Sequence, residues 1–206
     1  MSGISQDKHT TILDAAYTLF GSKGFYETKI SEVADLAGIA KGTVYLYFSS
    51  KEDLFMAVTR RDCEEFLEEL DKALKETEDI SGRLQIIARH HMLYYFDRKQ
   101  HTKLFFRTPN NNPELVEYMA EFMALYAKKV ADVLLAAGAG EPELLAQSYI
   151  GMLDRLKMDI LFQPAFARED AIHRGRFAAN LFIKGCLDGI SGGQPGDLLE
   201  TSEDNV

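Results

Sequence analysis

Cysteine is scarce: the 206 residues hold only Cys63 and Cys186. The two lie far apart, in no metal-ligand or redox spacing, so buried or idle thiols are expected rather than a disulfide or a metal site. No apolar run reaches the roughly 18 to 20 residues that a membrane span needs. The opening residues, Met1 to His9, lack the apolar core of a signal peptide, so a cytoplasmic protein with no membrane partner is expected. Also missing are alternating runs long enough for a strand, a P-loop, a nucleophile elbow and a CxxC pair. His90 and His91 are adjacent, with His101 further on, and adjacent residues point to different helix faces, unlike the i,i+4 pair of a HExxH metal site. Neither catalysis nor a cofactor is expected. A basic excess is absent as well: the net charge is −9, so charge does not announce a nucleic-acid partner. The deficit is uneven, however. Residues 1–61 carry seven Lys/Arg against seven Asp/Glu, leaving the whole −9 to the rest, and Asp197, Glu200, Glu203 and Asp204 crowd the C-terminal end.

What is present reads as helix throughout, an all-α fold. Ile12, Ala15, Ala16, Leu19 and Phe20 form one apolar face of a helix over about 8–23, stopped by Gly24. Thr28, whose hydroxyl can cap free amides, opens a short second helix through Ile30, Val33, Ala34 and Ala37, ended by Gly38. After the turn Gly38-Ile39-Ala40, a third short segment runs from Lys41 to Phe48. Ser50 followed by Asp53 reads as a capping box for a long helix reaching about Glu76. Further helices are expected at about 83–97, 100–107, 113–136, 142–162 and 169–190, separated by Pro109 to Pro113, by Gly138, Gly140 and Pro142, and by Pro164. Three segments follow: 1–50 a tri-helical helix-turn-helix, 51–190 a second helical domain, and 191–206 a flexible acidic tail.

The run from Gly24 through Val33-Ala34-Asp35-Leu36-Ala37-Gly38, on through Lys41-Gly42-Thr43-Val44-Tyr45-Leu46-Tyr47-Phe48, and then Ser50-Lys51-Glu52-Asp53-Leu54 closely resembles the N-terminal signature of the TetR family. The match covers about residues 10–58 and joins spacing, glycines and aromatics. Beyond it the chain is similar to the family only in helix number and length, and the resemblance implies that 51–190 is a helical ligand-binding and dimerisation domain. The resemblance implies a transcriptional regulator, a repressor in the commoner mode, that binds a palindromic double-stranded operator as a homodimer. The implied DNA-binding residues are Thr28 and Lys29 at the second helix; Lys41, Gly42, Thr43, Tyr45, Leu46 and Tyr47 on the recognition helix; and Lys51 opening the next. Hydroxyls and ammonium groups at helix entrances can meet phosphates, and a small residue lets the backbone approach a groove. Val44, Phe48, Ile30 and Ile39 are expected in the core. Ala40 stands where many relatives carry a hydroxyl or Asn cap, at a cost of about 1 kcal/mol.

The C-terminal half is rich in methionine and aromatics, which can line an adaptable apolar pocket. Its candidate ligand-binding residues are Phe105, Phe106, Met119, Phe122, Met123, Tyr126, Tyr149, Met152 and Leu156, for a small apolar or aromatic effector such as a fatty acyl chain or a hydrophobic toxin. As in the family, the last two helices are expected to pair with their copies, with Gly185, Gly189, Ala178, Leu181 and Phe182 at the contact. A helical protein-interaction adaptor without DNA binding is the alternative function; it would explain the acidic half, and its partner binding would respond little to salt.

Overall fold

Capping residues and glycines decide where the helices stop and start. The computed structural model describes residues 2–105 and 112–190, and among them it contains nine α-helices and no strand: α1 Ser2–Lys23, α2 Ile30–Leu36, α3 Lys41–Tyr47, α4 Lys51–Ala73, α5 Ile80–Asp97, α6 Lys99–Phe105, α7 Pro113–Ala136, α8 Pro142–Phe162 and α9 Arg168–Ile190. The acidic tail, 191–206, lies outside the described residues.

Gly38 closes α2 at φ +67°, with its own N–H bonded to Asp35 O and the next N–H, of Ile39, bonded back to Ala34 O. Both bonds satisfy carbonyls that the helix leaves open, and a residue with a Cβ would be strained there. Ser50 caps α4: its hydroxyl accepts from Asp53 N–H at 3.0 Å, while the Asp53 carboxylate reaches back to Ser49 N–H at 2.7 Å. Asp79 caps α5 through Gly82 N–H, which starts that helix at Ile80 rather than near 83. Helix α2 begins at Ile30, not at Thr28. The Thr28 hydroxyl instead donates to Gly24 O at 2.7 Å and Leu19 O at 3.3 Å, and Glu32 bonds the amide of the true cap, Lys29.

Among the described residues, two main apolar cores result, with a smaller cluster of Met92, Leu93, Ile160, Phe166 and Ala171 beside them. The N-terminal one gathers Ile12, Ala16 and Phe20 of α1, Val33 and Ala34 of α2, Val44 of α3 and Leu54 to Met56 of α4; Leu115 of α7 reaches into it from the second half. The larger core surrounds α5, which packs against α9, α8, α4, α7 and α6. Ala178 and Phe182, expected between two chains, are buried in this chain's own core, where the Phe182 ring lies 4.4 Å from Tyr149. Among the described residues, no helix is long and apolar enough to cross a membrane.

Candidate nucleic-acid interface and effector cavity

The recognition segment is held from beneath. Val44, 0% exposed, and Phe48 bury one side of α3 in the N-terminal core, where the helix packs against α2, which turns its opposite side outward. Lys41, Gly42, Tyr45 and Leu46 occupy that outer side, and Leu46 is 83% exposed. Lys41 Nζ stands 5.9 Å from the Tyr45 ring, one turn along, so ammonium and phenol form one exposed patch. A Cβ at Gly42 would meet nothing within 4 Å, so an approaching backbone or phosphate finds open space there. Thr43 is half-buried. Tyr47 is too, with the His9 ring 6.1 Å away, so it sits at the edge of the patch rather than at its centre. Lys29 is exposed beside the entrance of α2.

Two expected DNA contacts are differently employed. Thr28 is 1% exposed, and its hydroxyl is spent on α1 carbonyls, so its side chain cannot meet a phosphate. Lys51 directs its ammonium inward, donating to Thr28 O at 3.2 Å and Tyr26 O at 3.3 Å, 4.6 Å from the Phe25 ring centroid. It ties the α1–α2 loop to α4 instead of standing free at the surface.

A cavity of about 390 Å³ opens within the second half, in the range of small-molecule sites. Of the nine expected ligand residues, Met119, Phe122 and Met123 line it, all from α7. Phe106 and the Phe105 side chain lie outside the described residues. Tyr126, Tyr149, Met152 and Leu156 are not on the wall: Tyr126 and Tyr149 are fully buried, the latter donating its hydroxyl to Leu84 O at 2.7 Å, and the other two pack against the core. An apolar helix has several buried stripes, and a sequence does not say which of them faces the void.

Polar members of the wall went unnoticed in the sequence. On α4, Asp62 receives the Arg98 guanidinium at 3.1 Å and a hydroxyl bond from Tyr94 at 3.2 Å; burial raises its pKa, with Arg98 opposing. Beside it, burial pushes the Cys63 thiol up to about 12, leaving it protonated. On α8, Lys157 is only 13% exposed, its ammonium 2.5 Å from Asp154 and 3.7 Å from the Tyr95 ring centroid. Burial lowers its pKa against the pull of Asp154. A signal was available: Ile150, Asp154, Lys157 and Leu161 fall at i, i+4, i+7 and i+11, which places two charges on a stripe that also carries buried apolar residues.

Helix α6 touches both sites. Thr102 lines the cavity, while its neighbour His101 stacks on Tyr17 of α1, centroids 3.4 Å apart, and donates from Nε2 to Tyr17 O at 2.5 Å.

Comparison with known proteins accords with this division. Residues 12–58 match the family model described as "Bacterial regulatory proteins, tetR family". The "Fatty acid metabolism regulator protein" of Bacillus subtilis is 28% identical over 138 residues, 66% of this chain and 71% of that protein. A transcriptional regulator from Rhodococcus sp. Rha1 shares the fold at a TM-score of 0.75, with 20% identity over 86% of this chain and 97% of its own. The transcriptional regulator FadR from Bacillus subtilis, solved in complex with stearoyl-CoA, superposes at 0.71, with 22% identity over 85% of this chain and 98% of its own. Residues 12–58 are thus a TetR-type DNA-binding module, and the chain beyond them shares the helical fold of transcriptional regulators that carry it.

Proposed function

We propose that the protein is a homodimeric repressor that binds a palindromic operator through α3 and is released when a small apolar effector enters the cavity. The observation that carries this reading is the double engagement of α6: Thr102 faces the cavity while His101 grips α1. An effector that favours a different setting of α6 shifts the orientation of the DNA-binding module, and its differential affinity for the two settings sets how far operator affinity falls. Lys29, Lys41, Gly42, Thr43, Tyr45, Leu46 and Tyr47 supply the DNA surface, the lysines to phosphates and the outer side of α3 to base edges.

Two copies are required because one short helix in one groove gives modest affinity; two-fold symmetry supplies a second half-site about 34 to 36 Å away or somewhat more. Helices α8 and α9 supply the pairing surface. Leu144, Phe177 and Leu181 are large, apolar and exposed there, beside exposed Gly151 and Gly185, where two helices can approach closely. The stearoyl-CoA held by the Bacillus subtilis structure and the fatty-acid role in the related regulator's name support a long acyl chain as the effector.

The test is selection of bound duplexes from a random pool, followed by anisotropy titration of the selected operator with and without dodecanoate, methyl dodecanoate and stearoyl-CoA. Binding of two chains per symmetric site, weakened by one of these ligands, is the expected result. Tighter operator binding with ligand would replace repression by activation, and a single chain on an asymmetric site would overturn the dimer.

A further inference from the structure

The cavity's polar corner points to the chemistry of the effector's head group, an inference that rests on the effector reading above. Lys157 is buried in a mainly apolar wall. An ammonium carries three donor hydrogens. Among the described residues, its recorded partners are one carboxylate oxygen of Asp154 at 2.5 Å and the face of Tyr95. Behind Asp154 stands His91, 1% exposed, whose Nδ1 meets the Tyr126 hydroxyl at 3.3 Å. Its Nε2 is 3.5 Å from Asp154 Oδ1 and has no hydrogen-bond partner. A buried polar nitrogen without a partner is costly, and here it lies 3.5 Å from a carboxylate that is itself held by a lysine.

We propose that the effector is an apolar molecule ending in a carboxylate, which takes the Lys157 ammonium while Asp154 turns to His91 and His91 accepts a proton from solvent. The arrangement becomes a row of alternating charges: effector carboxylate, Lys157 ammonium, Asp154 carboxylate, His91 imidazolium. An organic cation fits less well. The subsite it would need, Asp154 beside the Tyr95 ring, is already filled by Lys157, whose buried stem would have to be expelled. A neutral ester reaches the same walls but leaves the row unformed.

His91 is the group able to balance the added charge. Facing it are Tyr126 of α7, Asp154 and Lys157 of α8, and its α5 neighbours His90 and Tyr95. From α4 the Phe66 ring packs on it, with Asp62 and Cys63 further round the wall. The Thr102 hydroxyl of α6 bonds to Arg98 O, and Arg174 of α9 is taken by Asp159. Without an effector, burial and the Lys157 charge hold His91 neutral; neutralising that lysine with an anion removes the second of these.

Calorimetry on the full chain tests this with dodecanoate, methyl dodecanoate, dodecylamine and stearoyl-CoA at pH 7, in two buffers of differing ionisation heat. Dodecanoate is expected to bind tightest, by about tenfold over the methyl ester, the range of a charge-assisted hydrogen bond. K157M is expected to abolish that preference while still binding the ester, and retained ester binding also shows that the variant folds. Proton uptake should accompany dodecanoate in the parent and vanish in H91F. Equal binding of acid and ester, tighter binding of dodecylamine or stearoyl-CoA, or buffer-independent heats would overturn the proposal while leaving the apolar cavity intact as an effector site. No binding of any of the four would remove the acyl-effector reading itself, and the proposal with it.

Discussion

Acid should unfold this protein through its buried histidines, and His91 gives the cleanest case. Its imidazole is enclosed by Phe66, Tyr95 and Tyr126, and burial together with the Lys157 ammonium lowers its pKa well below the ordinary 6.5. The nearby Asp154 is therefore a neighbour of a neutral ring rather than its ion-pair partner at neutral pH. An unfolded chain releases that ring to water, where it titrates normally. For a lowered histidine pKa, the stability is fully present above the unfolded value and is lost as pH falls below it, because only the unfolded state then binds the proton. From pH 7.0 to 5.5, an imidazole that ionises only when unfolded favours unfolding by about 1.2 kcal/mol. His90 and His101, also lowered by burial, act in the same direction but are partly exposed, so they add less. His91→Phe keeps a ring against the same neighbours and removes the titration. Urea unfolding of parent and variant at both pH values isolates the effect: the parent's loss of stability should exceed the variant's by about 1 kcal/mol. Equal losses in the two proteins would refute the argument that the folded site excludes the proton.

The outer side of α3 gives a contrast between affinity and stability. Leu46→Ser should leave stability within about 0.5 kcal/mol while weakening operator binding, and Lys41→Ala should also reduce the salt slope of binding by about one per protomer; anisotropy over a salt series reads both. Helix α3 lacks a side-chain cap at Ala40, so Ala40→Ser should raise stability by about 1 kcal/mol in thermal or urea unfolding. At the junction of α1 and α6, a Cβ on Gly21 would lie 2.7 Å from His101 Nε2, and Gly21→Ala should destabilise by about 1 to 3 kcal/mol through overpacking. In a His101→Ala background the same change should instead stabilise by about 1 kcal/mol, the helix propensity gained; a double-mutant cycle that shows no sign change would deny the contact.

The helices were largely legible because their signals are local. Ser50 and Asp53, Gly38, Pro113 and Pro142 act on amides and carbonyls a few residues away, and those bonds form whatever packs above them. The buried and exposed sides of α3 were legible too, since Val44 and Phe48 belong to an apolar stripe that Leu46 does not share. Thr28 shows where such reasoning stops. Its hydroxyl had two uses open to it, a cap for α2 or a bond to the end of α1, and the close approach of α1 selected the second. Lys51 likewise reads as a free cation until the α1–α2 loop brings the Tyr26 and Thr28 carbonyls to it.

Helix order and the recognition module with its TetR-type signature were therefore determined by the sequence itself, because they depend on periodicity and on motifs a few residues long. Tertiary structure alone decided which methionines and aromatics line the cavity and which merely fill the core. It also decided that Asp154, Lys157 and His91 meet, and that His101 carries the wall of one site to the helix of the other. Those juxtapositions join residues from different helices, and the packing that creates them is set by the fit of whole faces, which leaves no mark at any single position.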